Sequence, residues 1–253
     1  MNTELLYGFH PVREALSAGR RRVFKIYLDK DKRSGRLDRL ASLAEANGVQ
    51  RKKIARGDFK SLTGTTDHQG AAAVVSPYPQ AAVLDLLQAD RGKGQRFLLI
   101  LDNVQDPQNL GAIVRTALCA GVQGVIVPKD RSASPTPAVS KASSGALEHI
   151  QLVRVTNLVQ TIKICKNNGL WVIGLQKDAA QSIYAVDLSG SIAIVIGGEQ
   201  KGIRHLVKQN CDLLASIPQL GTLNSLNASV AAAVAMYEAL RQRNSERRTT
   251  NDE

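Results

Sequence analysis

Three short stretches of this chain gather side chains able to hold or move protons, and each follows an apolar run. The first is Leu101-Asp102-Asn103-Val104-Gln105-Asp106-Pro107-Gln108-Asn109-Leu110-Gly111. It leads into a helix with an apolar stripe of Leu110, Ile113, Val114, Ala117 and Leu118, and Arg115 lies off that stripe. Asp102, Asn103, Asp106 and Asn109 crowd polar groups at the carboxyl end of a strand, where open α/β sheets take their ligands. Turn and cap chemistry accounts for the same residues: Asp-Pro favours a turn, Asn109 can cap the helix, and Arg115 is then a solvated helix residue. The second stretch runs from Ile194 through Gly197-Gly198-Glu199-Gln200-Lys201-Gly202 to Ile203. Two glycines after a strand let a ligand approach the backbone closely, and Glu199 sets a carboxylate beside them, although a plain glycine turn reads the same way. The third is Ile217-Pro218-Gln219-Leu220-Gly221-Thr222-Leu223-Asn224-Ser225-Leu226-Asn227-Ala228-Ser229. One helix cap needs one small polar residue, and three of them within five positions exceed that need.

These stretches require a scaffold that delivers strand ends to one place. Phe97–Leu101, Val122–Val127, Leu170–Leu175 and Ile192–Ile196 are short continuous apolar runs, with a weaker one at Leu213–Ile217. Helix-like segments separate them, a rhythm that indicates buried parallel strands with helices on both faces. The helix after Ser229 is read with Val230, Ala233, Val234, Tyr237 and Leu240 as its buried stripe. Ahead of this domain, Val23–Leu28 and Gly70–Val75 read as strands and Leu37–Asn47 as a helix ended by Gly48, which makes a small α/β module. The expected division is an N-terminal module over 1–76, a linker over 77–95, a second domain over 96–243 and a disordered polar tail over 244–253.

Composition narrows the function. The 253 residues carry a formal net charge of +11, which favours a polyanionic partner, nucleic acid first. Residues 1–76 hold 15 Lys and Arg against 8 Asp and Glu, with one dense stretch of Arg20-Arg21-Arg22, Lys30, Lys32, Arg33, Arg36 and Arg39 and another of Arg51-Lys52-Lys53. Those runs read either as phosphate contacts or as a solvated face. No stretch reaches the roughly 18 apolar residues of a membrane span, and no signal peptide precedes the module, so a cytoplasmic protein is expected. Cys119, Cys165 and Cys211 are too scattered for a zinc site and read as reduced, mostly buried thiols. His10, His68, His149 and His205 are likewise scattered, and no metal is expected. The glycine stretch is not the dinucleotide fingerprint, which disfavours a nicotinamide enzyme.

Taken together, Asn103 to Arg115, Gly197 to Gly202 and Ile217 to Ser229 resemble, in order, the three motifs of the SpoU (TrmH) RNA 2′-O-methyltransferases. The resemblance extends to Tyr7–Leu16, Pro128–Ser134 and Lys141–His149, and it is closest to members acting on a guanosine of 23S rRNA. Gln108 departs from the pattern, in which His is common. The resemblance implies an α/β architecture with a C-terminal SPOUT-type domain, a parallel sheet with a deep trefoil knot. It also implies a ribosomal-protein-like N-terminal domain that binds RNA.

The implied activity is methyl transfer from S-adenosylmethionine to a guanosine ribose 2′-oxygen in the peptidyl-transferase P-loop. The implied partners are 23S rRNA or an immature large ribosomal subunit and a second copy of the chain. Asn109, Arg115, Glu199, Ser225 and Asn227 match the family's catalytic positions, and Gly197, Ile217 and Leu226 its cofactor-binding positions. Two other readings stay open: a tRNA guanosine 2′-O-methyltransferase, against which the N-terminal module argues, and a non-catalytic rRNA-binding assembly factor.

Overall fold

The computed structural model describes residues 2–89, 94–199, 201–222 and 225–249. Parts of the expected linker (90–93), of the second and third motifs (Gln200, Leu223, Asn224) and of the tail (250–253) lie outside the described residues. The chain divides into two compact units, Met1–Pro79 with Pro135–His149, and Gln80–Ser134 with Ile150–Glu253.

In the first unit the strands are β1 (Glu4–Tyr7), β2 (Val23–Asp29), β3 (Gln50–Ile54) and β4 (Ala71–Val75). Helices α1 (Phe9–Ala18), α2 (Gly35–Ala46) and α3 (Arg56–Thr63) connect them. Among the described residues they form a four-stranded sheet in the order β1-β4-β2-β3, antiparallel except for the β2–β3 pair. Leu6, Ile26, Leu28 and Ala73 of the sheet close a core with Val12 and Leu16 of α1 and Leu37 and Leu40 of α2. The basic run Arg51–Lys53 lies on the edge strand β3 with its side chains exposed, where cations also deter another strand from adding.

Segment Pro135–His149, expected within the second domain, belongs to this first unit. Its helix α6 (Pro137–Ala142) packs on β1, and Lys141 Nζ lies 3.2 Å from Asp67 Oδ2. The same segment turns part of the basic run inward. The buried guanidinium of Arg21 places Nε 2.9 Å from Glu148 Oε2 and Nη1 2.6 Å from Glu4 Oε2, so Arg21 is not a phosphate contact. Ser140 Oγ donates to Glu148 Oε1 at 2.7 Å.

The second unit contains β5 (Phe97–Asp102), β6 (Gly124–Pro128), β7 (Gln151–Val155), β8 (Trp171–Leu175), β9 (Gln181–Ser182), β10 (Ile192–Gly197) and β11 (Leu213–Ser216). These make a seven-stranded sheet among the described residues, in the order β7-β6-β5-β10-β8-β11-β9, and the pairs are parallel. The parallel-sheet expectation holds, and β7, which the apolar runs did not reveal, extends the sheet beyond β6. One sheet face, with Leu98, Ile100, Ala193 and Val195, packs on α4 (Val83–Ala89), α7 (Leu158–Asn167) and α8 (His205–Asn210). The opposite face carries α5 (Pro107–Cys119) and α9 (Ala228–Thr249), which pack against each other.

Three expectations need correction here. The stretch read as a linker contains α4, whose Leu86 and Leu87 are buried in the core. Helix α9 continues past residue 244 to Thr249, so that part of the polar tail is helical. The buried side of α9 is Ala232, Ala235, Met236 and Ala239, whereas Val230 and Tyr237 are about half exposed. Small alanines let α9 approach the sheet and α5 closely, and that turns the larger apolar residues outward. Of the cysteines, Cys165 is buried, Cys211 partly so and Cys119 exposed. Burial pushes the Cys165 and Cys211 thiols up to about 11, which suppresses their reactivity.

Burial holds the Glu148 carboxyl above its ordinary value of 4.5, against the lowering pull of Arg21. A raised folded-state pKa gives stability that is complete below the ordinary value and declines as pH rises through the raised one. Replacing Arg21 by Met leaves Glu148 buried without its cation, a loss of about 3–5 kcal/mol near neutral pH. Urea denaturation of R21M over a pH series should show that loss shrinking as pH falls toward 4.5. A pH-independent loss would exclude the buried carboxylate as its cause.

Candidate active site

The site begins at the carboxyl ends of β5 and β10, which lie side by side in parallel register with Gly197 opposite Asp102. After Asp102 the chain turns through Asn103 at φ 69°, a left-handed conformation that Asn tolerates better than most residues. That turn aims the Asn103 carbonyl at the β10 loop. A Cβ on Gly198 would stand 2.1 Å from Asn103 O, and one on Gly197 would stand 2.1 Å from the Gly202 carbonyl carbon. Both contacts are with backbone, which cannot move aside cheaply, so these two positions accept glycine only. The loop is tied by Gly198 N–H donating to Asp102 O at 2.7 Å and Gly202 N–H donating to Gly198 O at 2.9 Å.

Asp102 is fully buried, and an unpaired carboxylate there would be costly. Its two oxygens accept from Arg204 N–H at 2.8 Å and Arg204 Nε at 2.7 Å. The first loop thereby holds both ends of the second. Asp102 was one of the crowded polar residues of the sequence, but its partner 102 positions away is a tertiary fact that spacing cannot show.

Helix α5 starts with Pro107 in its first turn and is capped by Asp106, whose carboxylate accepts from Gln108 N–H at 2.9 Å. Asn109 is therefore not the cap. Its Nδ2 donates to Glu199 Oε1. Asn227, at the start of α9, accepts from Ser229 N–H at 2.8 Å and from Ser229 Oγ at 2.6 Å. Its Nδ2 donates to Asn109 Oδ1 at 3.2 Å and to Glu199 Oε1 at 3.3 Å. One residue from each stretch thus meets the others in a single polar cluster, with both amides directed at one carboxylate oxygen.

Beside this cluster opens a cavity of about 300 Å³. Gly197, Glu199, Ile217, Ser225 and Leu226 line it, so the structure brings these five expected residues to one cavity and joins Asn109 and Asn227 to it through Glu199. Glu199 and Gly198 also border a smaller cavity of about 90 Å³ lined by Asn103, Val104 and Gln105. Arg115 is exposed on α5 and is not among the residues lining either cavity. It stands six positions after Asn109, about 9 Å along the helix axis and about 120° around it.

Gln176, Lys177 and Asp178, just beyond β8, and Lys208 of α8 also line the larger cavity and were not singled out in the sequence. The carboxyl end of β8 was a readable signal for the first three, since parallel sheets place ligands there. Among the described residues no three or more His, Cys, Asp or Glu side chains gather as a metal site would require.

The SpoU rRNA Methylase family matches residues 96–237, and a family of RNA 2′-O ribose methyltransferase substrate-binding domains matches residues 5–81. A 23S rRNA (guanosine-2′-O-)-methyltransferase RlmB of Pseudomonas syringae pv. tomato is 43% identical over 97% of this chain and 98% of its own. The crystal structure of the SpoU methyltransferase AviRb from Streptomyces viridochromogenes in complex with the cofactor AdoMet superposes with a TM-score of 0.80. That match is at 25% identity and covers 96% of this chain and 91% of AviRb. The TrmH/SpoU tRNA modifying enzyme of A. aeolicus, at 26% identity and a TM-score of 0.54, covers only 65% of this chain and 82% of its own. A full-length relative, two family matches in tandem and three motif loops joined at Glu199 converge: this chain belongs to the SpoU rRNA methylase family.

Proposed function

We propose that this chain transfers a methyl group from S-adenosylmethionine to the ribose 2′-oxygen of a guanosine in the peptidyl-transferase P-loop of 23S rRNA. The observation that carries this reading is the meeting of Asn109, Glu199 and Asn227 on the rim of a glycine-walled cavity. The cavity suits the cofactor. Its volume is at the lower end of small-ligand sites. Leu175, Ile196, Ile217 and Leu226 offer apolar contact to an adenine ring, and Asp178, Lys177 and Lys208 offer partners to a zwitterionic amino acid. Gly197, Ile217 and Leu226 would hold it through backbone groups, and the close seat of Gly197 on the Gly202–Ile203 peptide keeps that wall in place.

Bound S-adenosylmethionine supplies a methyl group already activated as a sulfonium. The chain has to align the ribose and remove one proton, and alignment alone supplies several kcal/mol. Hydrogen bonds from Asn109 and Asn227 fix Glu199 through Oε1, and Oε2 is then directed to the 2′-hydroxyl and takes its proton. Ser225, on the cavity wall beside Leu226, borders the same space and orients the ribose. A guanidinium rarely gives up its proton, and Arg115 is exposed on α5 outside both cavities, so of the two stabilising roles open to it the one toward a neighbouring phosphate of the RNA fits its position.

The RNA identity follows the relative that matches nearly the whole chain, together with the substrate-binding match ahead of the methylase. An immature large subunit in the cytoplasm is the setting such a substrate implies. Val230 and Tyr237, two turns apart on one face of α9, leave apolar surface exposed, and a second copy of the chain covers it as a homodimer.

Labelled S-adenosylmethionine offered with 23S rRNA, 16S rRNA and bulk tRNA should label one large-subunit guanosine 2′-oxygen. Label only in tRNA overturns the substrate, and none in any RNA, immature subunits included, favours a binding-only protein. In that assay E199Q should lower kcat by about 100-fold or more with little change in cofactor affinity. An R115A variant with wild-type turnover removes Arg115 from the mechanism. Sedimentation should give a dimer for the wild type and a monomer for Y237D, and a monomeric wild type contradicts the assembly.

A further inference from the structure

The first unit carries a groove between α1 and α2 whose residues come from the Tyr7–Leu16 stretch and the basic stretch up to Arg39. Two cavities, of about 390 and 380 Å³, adjoin there and share Phe9, His10 and Arg36. Lys32 lines one of them, and Arg13 and Arg39 line the other, so the groove carries four cations and no carboxylate among its lining residues. Its floor is aromatic. The His10 ring stands edge-on to Phe9 with centroids 5.2 Å apart, and the Arg13 guanidinium lies 5.8 Å from the Phe9 centroid. Phe9 is half-buried, its inner side packed on the core of the unit, so the ring is held rigid. Arg13 pairs with the neighbouring Glu14, which leaves Lys32, Arg36 and Arg39 as the principal positive charge of the groove.

A fixed aromatic ring in a groove lined by guanidinium and ammonium groups matches the chemistry of an unstacked nucleotide, a flat π-face beside a phosphate. Single-stranded RNA is held by stacking on aromatic or guanidinium planes and by cations tracking its backbone. We infer that the α1–α2 groove binds an unpaired nucleotide of the RNA substrate, its base stacked on Phe9 with the His10 ring against its edge and its phosphates met by Lys32, Arg36 and Arg39. The inference rests on the RNA-methylating function proposed above and names the part of the substrate that the first unit reads. It also gives the RNA-contacting role to α1 and α2 rather than to Arg21, which is committed to Glu148 and Glu4.

Two variants separate the stacking part from the charge part. F9L keeps apolar bulk and removes the ring, and R36A/R39A removes two cations from exposed helix positions. Binding of a 23S rRNA fragment containing the P-loop is measured across a salt series, apart from methyl transfer, with thermal melting and cofactor binding as folding controls. F9L should weaken RNA binding about tenfold at every salt concentration and leave the salt slope unchanged. R36A/R39A should reduce the log–log salt slope by between one and two. Both should raise KM for the RNA with kcat unchanged. Variants that fold and bind the fragment as the wild type does overturn the groove. A wild type that binds the fragment but transfers no methyl overturns the proposed function, and the groove then stands or falls on binding alone. A wild type that binds no RNA overturns both.

Discussion

The structure depends on a backbone-to-backbone contact that admits no side chain. Gly198 sits against the Asn103 carbonyl and Gly197 against the Gly202–Ile203 peptide, at distances a Cβ would violate by about an ångström. Because the contact is that close, the ends of β5 and β10 can be joined by the Gly198 N–H to Asp102 O bond. The side chain of Asp102 then holds Arg204 at the far end of the same loop. The three residues of the polar cluster hang from this joint. Glu199 follows the glycines directly, Asn109 stands on the helix that starts four residues after Asn103, and Asn227 opens the helix that packs on α5.

The joint explains why polar residues that look like caps serve two ends. A helix start needs one acceptor for its first N–H groups, and Asp106 meets that need for α5, releasing Asn109 to Glu199. Asn227 does both tasks with different atoms, accepting from Ser229 through Oδ1 and donating through Nδ2 to Glu199. The network is thus secured by secondary-structure termini rather than by mobile side chains alone, and such termini are the least adjustable parts of the loops.

The buried strands were legible because β5, β6, β8 and β10 are covered on both faces and are apolar nearly throughout. Strands β3 and β7 were not, since edge strands carry exposed Arg51, Lys52 and Arg154 that break the pattern. Helix α4 was hidden for another reason. Leu86 packs where Gly124 of β6 leaves room for it, a complementarity between positions 38 residues apart that no local window contains. The α9 stripe was not legible because helical periodicity fits more than one face of so alanine-rich a helix, and close packing selects the face of Ala232, Ala235, Met236 and Ala239. The three motif loops were readable as a family resemblance, and their convergence on Glu199 became visible only in three dimensions. Arg21 shows the converse, a basic residue in a basic run whose destination is a buried carboxylate.

The central claim is that the glycine-walled cavity between the loops after β8, β10 and β11 holds the methyl donor. Titration calorimetry of S-adenosylmethionine into the wild type and into G197A tests it most directly, with R36A/R39A as a control remote from the loops in sequence. Saturable one-site binding by the wild type and the control, lost in a G197A protein that still melts cooperatively, is the outcome this account predicts. Binding by G197A at wild-type affinity would place the cofactor elsewhere and contradict it.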